Sequence, residues 1–149
     1  MFEKILVCLD GSKLAEEILP YVKEIARRFD STLVLLEVTT PPSAVVEPTT
    51  GYYSAPSPAE IERKEEEALT YLEDIAQLME KEGLNVQYIA LPGSAGKTIV
   101  EYAEESDIGL VALGTHGRSG LKRLAFGSVA DYVLKQSGRP VIVIRPRKP

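Results

Sequence analysis

At 149 residues the chain falls in the size range of one domain, and residues 1–149 read as a single unit. Hydrophobic residues at 44% and charged residues at 26% are ordinary globular usage, which excludes a disordered chain. A net charge of −5 argues against a general nucleic-acid surface, and no apolar run reaches the ~18 residues that cross a bilayer.

The opening Met1-Phe2-Glu3-Lys4 leads directly into an apolar run instead of a secretory leader, so a cytoplasmic protein is expected. That run, Ile5-Leu6-Val7-Cys8-Leu9, contains the single cysteine. One cysteine forms no internal disulfide, and an apolar strand offers no cation to activate a thiol, so Cys8 reads as core filler. Next comes a helical stripe, Leu14, Ile18, Val22, Ile25 and Phe29, at three- and four-residue steps. Pro20 interrupts it and is expected to kink the helix near Glu16, because proline has no N–H to donate.

A second strand-like run covers residues 32–38. The stretch 39–57, with Pro41, Pro42, Pro48 and Pro56, reads as a long exposed loop. Its Tyr52 and Tyr53 could cover a ligand or a partner, although a plain surface loop is the stronger reading. Ser57-Pro58-Ala59-Glu60 is a capping box with proline at the first helical position. The helix it starts carries Ile61, Ala68, Leu72, Ile75 and Met79 on one face and ends at Gly83. A third run spans 86–91, and Ser94 caps a shorter helix with Ile99, Val100 and Ala103. The fourth run covers 108–113. A helix from Ser128 carries Val129, Val133 and Leu134 and stops at Gly138, before the last run, residues 141–144.

Strands buried on both faces and alternating with helices imply an α/β fold: a five-stranded parallel sheet with helices on both faces. Counting only these runs, the spatial order is 3-2-1-4-5, with a switch point between strands 1 and 4. Ligands of such sheets bind beyond the carboxyl ends of the strands at that point, here after Leu9 and after Leu113.

Asp10-Gly11-Ser12 follows the first of these, and Gly114-Thr115-His116-Gly117 opens a segment closing at Gly127-Ser128 on a helix start. Glycines let backbone approach a phosphate, and a helix N-terminus presents free N–H groups to it. Taken alone, such a segment is as often a plain turn and helix cap; its place at the switch point favours phosphate binding. Ser128 adds a hydroxyl donor at the cap. Asp10 suits ribose hydroxyls, a bridging cation, or backbone donors of the opposite loop.

The spacing Gly114-x2-Gly117-x9-Gly127-Ser128 resembles that of ATP-binding members of the universal stress protein family. The opening Lys4-Ile5-Leu6-Val7-Cys8-Leu9-Asp10-Gly11-Ser12 and the closing Ser137-Gly138-Arg139-Pro140-Val141-Ile142-Val143-Ile144 are also similar to that family, so the likeness spans nearly the whole chain. The resemblance implies ATP (AMP as a variant), with magnesium, as ligand. It implies that Gly114, Gly117, Gly127, Ser128 and the Val129 amide hold ribose and phosphates. Asp10 would meet the ribose or a metal, and the Val38 backbone would meet adenine. It implies a Rossmann-like regulator or sensor of stress, with slow or absent ATP hydrolysis. It also implies a homodimer through Val141, Ile142, Val143 and Ile144, whose apolar edge needs cover. A nucleotide-independent dimeric scaffold and a true ATP hydrolase are the alternatives.

Two features are set aside. Gly96-Lys97-Thr98 lacks the glycine that a P-loop needs at Leu91, and the strand at Gly114 lacks a metal-holding aspartate. His116 has no readable triad, and a loop position near ligand is its favoured reading. Arg118, Lys122 and Arg123 read equally as phosphate screens and as a solvated face.

Overall fold

Two-residue alternation divides the first strand between two cores. In the computed structural model, which describes residues 1–40, 45–46, 53–115 and 127–145, β1 (Lys4–Leu9) turns Ile5, Val7 and Leu9 toward one core. Leu6 and Cys8 enter the other. The first core is completed by α1 (Lys13–Glu16), α2 (Leu19–Phe29) and, beyond β2 (Thr32–Thr39), by the long α3 (Pro58–Lys81). Between β2 and α3 lie two short strands, β3 (Val45–Val46) and β4 (Tyr53–Ser54), which pair antiparallel. The stretch expected to be a plain loop thus carries a small antiparallel ribbon. After α3 come β5 (Asn85–Pro92), α4 (Ala95–Glu105), β6 (Leu110–Gly114), α5 (Ser128–Gln136) and β7 (Val141–Ile144). Helices α4 and α5 supply Ile99, Ala103, Ala130 and Val133 to the second core.

The sheet order is β5-β2-β1-β6-β7, and every pairing within it is parallel. This is the expected 3-2-1-4-5 arrangement with helices on both faces. Strand β1 sits at the centre, in register with β2 from Lys4–Thr32 to Leu9–Glu37 and with β6 from Ile5–Leu110 to Val7–Ala112.

Local chemistry sets the helix ends. Ser57 and Glu60 form the reciprocal capping box of α3, and Gly83, at φ +85°, accepts the left-handed turn after it. Pro20 acts more strongly than expected: it breaks the first helical segment in two and begins α2, where its missing N–H has no consequence. The first stripe is also displaced. Leu14 and Phe29, at its two ends, are exposed, while Ala15, Ile18, Val22 and Ala26 carry the three- and four-residue spacing into the core across the break. Phe29 meets the Phe2 ring edge-on at 5.3 Å. Ile61 and Leu134 are exposed as well, each lying at the margin of its helix's buried face.

Candidate functional site

At the carboxyl end of β1 the chain turns sharply through Gly11, whose φ of +83° suits glycine. Asp10 Oδ1 accepts from the Ser12 backbone N–H at 2.9 Å and from Ser12 Oγ at 2.5 Å. Ser12 Oγ in turn accepts from Ala15 N at 3.1 Å, capping α1. Among the described residues Asp10 Oδ1 is taken by its own loop; the opposite loop, residues 116–126, lies outside them. Oδ2 has no hydrogen bond among the described residues.

Across the switch point, β6 ends at Gly114, opposite Ile144 of β7. A Cβ built on Gly114 would meet Leu14 O at 3.6 Å and Ala15 Cα at 3.7 Å, ordinary van der Waals contacts. Local packing therefore does not require glycine there. Gly127 is the opposite case: it sits at φ +70°, ψ 159°, a region open essentially to glycine alone. Gly127 is also the N-cap of α5, which places Ser128 at the first helical position instead of at the cap where it was expected. Among the described residues no side chain caps this helix, so the first-turn N–H groups, those of Ser128 and Val129 among them, have no side-chain cap partner there. Gly117, with His116, Arg118, Lys122 and Arg123, lies outside the described residues, as does Tyr52.

Thr115, which the sequence reading left without a role, is 2% exposed. Its N–H donates to Ile144 O at 2.9 Å, while its hydroxyl has no partner among the described residues.

A cavity of about 500 Å³ opens beside Asp10, within the range of small-molecule sites. The sheet contributes Glu37, Val38, Thr39 and Thr40; α3 contributes Lys64, Glu67, Ala68 and Tyr71; Ala95 closes the α4 side. The β1–β2 ladder stops at Leu9–Glu37, so Val38 runs past the end of β1 and is not the final residue of its strand. The cavity thus joins Asp10 and Val38, while Gly114, Gly127, Ser128 and Val129 belong to the neighbouring β6 end and α5 start.

Glu37, Tyr71 and Lys64 escaped the sequence reading. Glu37 did leave a signal: it is the one charged residue inside the apolar run 32–38. Tyr71 left none, because it precedes Leu72 on a helix whose stripe explained itself without it. Its hydroxyl is buried and has no hydrogen-bond partner among the described residues. Burial first, then the carboxylates of Glu16, Glu37 and Asp10, hold the phenol well above its ordinary range.

Among the described residues no cluster of three or more histidine, cysteine or acidic side chains could hold a metal. No helix among the described residues is long and apolar enough to cross a membrane. Lys97 lies on an exposed helix face and pairs with Glu101 at 3.7 Å, as a solvated residue should.

The Universal stress protein family model matches residues 1–145. Universal stress protein MJ0531 of Methanocaldococcus jannaschii is 30% identical over 148 residues, covering 99% of this chain and 85% of its own length. The solved structure of MJ0577 from the same organism superimposes with a TM-score of 0.78 at 28% identity, covering 100% of this chain and 99% of that one. A universal stress protein family member from Arabidopsis thaliana, solved with AMP bound, has a TM-score of 0.68 at 18% identity, covering 97% and 92%.

Proposed function

The chain belongs to the universal stress protein family, and on that premise we propose that it is a cytoplasmic regulator that binds ATP, or AMP in its place. The observation that carries the reading is that Asp10 and Gly114 stand at the ends of the adjacent strands β1 and β6, at the switch point and beside a cavity of about 500 Å³. The AMP-bound Arabidopsis protein supports an adenine nucleotide as ligand. In this reading the α5 N-terminus and the Gly114, Gly117 and Gly127 backbone hold the phosphates, with Ser128 and the Val129 amide. Val38 backbone faces adenine, and Asp10 faces the ribose or a magnesium ion that arrives with the phosphates. The nucleotide is bound as a signal and turned over slowly at most. A homodimer forms through Val141, Ile142, Val143 and Ile144.

The test is a titration of ATP against the protein and against Gly114→Ala. Because alanine fits at residue 114, the variant should keep its thermal midpoint while losing at least about ten-fold in affinity, the cost of crowding one close backbone–phosphate approach. Absence of ATP and AMP binding by the unmodified protein would sink the nucleotide reading; equal binding by both would sink the site assignment.

A further inference from the structure

The cavity and the neighbouring α5 start differ in chemical character. Its β1, β2 and α3 walls bring Asp10, Glu37 and Glu67 together against one lysine, Lys64. A polyanion is repelled there, whereas hydroxyl and amino groups find carboxylate acceptors. Outside this lining, beyond the end of the neighbouring β6, the α5 start offers backbone N–H groups and the positive end of a helix dipole. A ligand with one neutral and one anionic end therefore fits in a single orientation.

Within the acidic wall stands one unsatisfied donor. The Tyr71 hydroxyl is buried and makes no hydrogen bond among the described residues, on a side chain that lines the cavity. Native interiors rarely leave a buried hydroxyl without a partner, and a binding partner is a standard reason for one. We infer that Tyr71 is a specificity-determining residue, whose hydroxyl donates to an oxygen or ring nitrogen of the ligand's nucleoside moiety while the surrounding carboxylates keep phosphate out of that end. Burial and the nearby carboxylates keep the phenol protonated, so it remains a donor.

This inference rests on the nucleotide reading, and Tyr71→Phe separates the two. The variant removes the hydroxyl and leaves the ring. Affinities for ATP, AMP and adenosine are measured by calorimetry, and the ligand-free thermal midpoint by unfolding. All three ligands should weaken by the same factor, about five-fold, the worth of one neutral hydrogen bond. The ligand-free midpoint should hold or rise, since an unsatisfied buried group has been deleted. A lowered midpoint with unchanged affinities would make Tyr71 purely structural and overturn the inference. A loss confined to ATP would place the hydroxyl against phosphate and overturn it too. If the unmodified protein binds none of the three, the nucleotide reading falls and takes the inference with it.

Discussion

Single residues here differ in how plainly the sequence announced them. Asp10 was legible because it ends the strand at the switch point. Gly114 and Gly127 were legible as a spacing but not as two different physical requirements: a positive φ constrains Gly127, whereas nothing in the packing constrains Gly114. Tyr71 was invisible because its importance lies in what its hydroxyl lacks, a three-dimensional fact. Cys8 was read correctly as core filler, and the structure adds a measurable consequence. Burial pushes its thiol up from 9.0 to about 12. The folded state thus holds this proton more tightly than the unfolded state. The stability it contributes is fully present below pH 9 and is lost as pH rises toward 12. At pH 10 the loss is about 1 kcal/mol. Urea midpoints at pH 8 and pH 10 should show this slope, and Cys8→Val should flatten it; an unchanged slope in the variant would remove Cys8 as its source.

Elements were legible where period and punctuation agreed. The capping box fixed the start of α3 and the alternation of β1 marked its two faces. Phase was less legible at the ends of the first stripe, where the small Ala15 and Ala26 are buried and the larger Leu14 and Phe29 are not. The Gly96-Lys97-Thr98 decoy now has an explanation in packing. A Cβ on Gly96 would lie 2.8 Å from Cδ1 of Tyr132, so this glycine lets α5 close on the first turn of α4. Ordinarily Gly→Ala inside a helix gains about 0.5–1 kcal/mol. Here Gly96→Ala should instead destabilise, by about 1–2 kcal/mol of overpacking. In a Tyr132→Ala background the same substitution should become neutral or stabilising. A double-mutant cycle in urea reads the coupling; additive effects would show that the ring is not the obstacle.

At the scale of the whole molecule, strand order followed from alternation and the connection rules, and the structure reproduces it. What one chain's sequence pattern does not contain is the second side of an edge. Strand β7 pairs with β6 on one side, and its four apolar residues are all left half-buried. Joining two such edges antiparallel would bury them and remove an aggregation hazard. Sedimentation at micromolar concentration should therefore give roughly twice the chain mass, moving toward one chain on dilution. A single-chain mass throughout would exclude the interface.

The position of β1 has one more consequence. On one side it is completed by its immediate successor β2, on the other by β6, whose partners stand on the order of a hundred residues further along the chain. The carboxyl end of β1, where Asp10 follows, is therefore a seam between early and late chain. During synthesis the first half emerges with the second edge of β1 open, and its apolar side chains stay unshielded until the last third arrives. A ligand that reaches from Asp10 to the start of α5 would act as a latch, holding shut the boundary that the order of synthesis leaves until last.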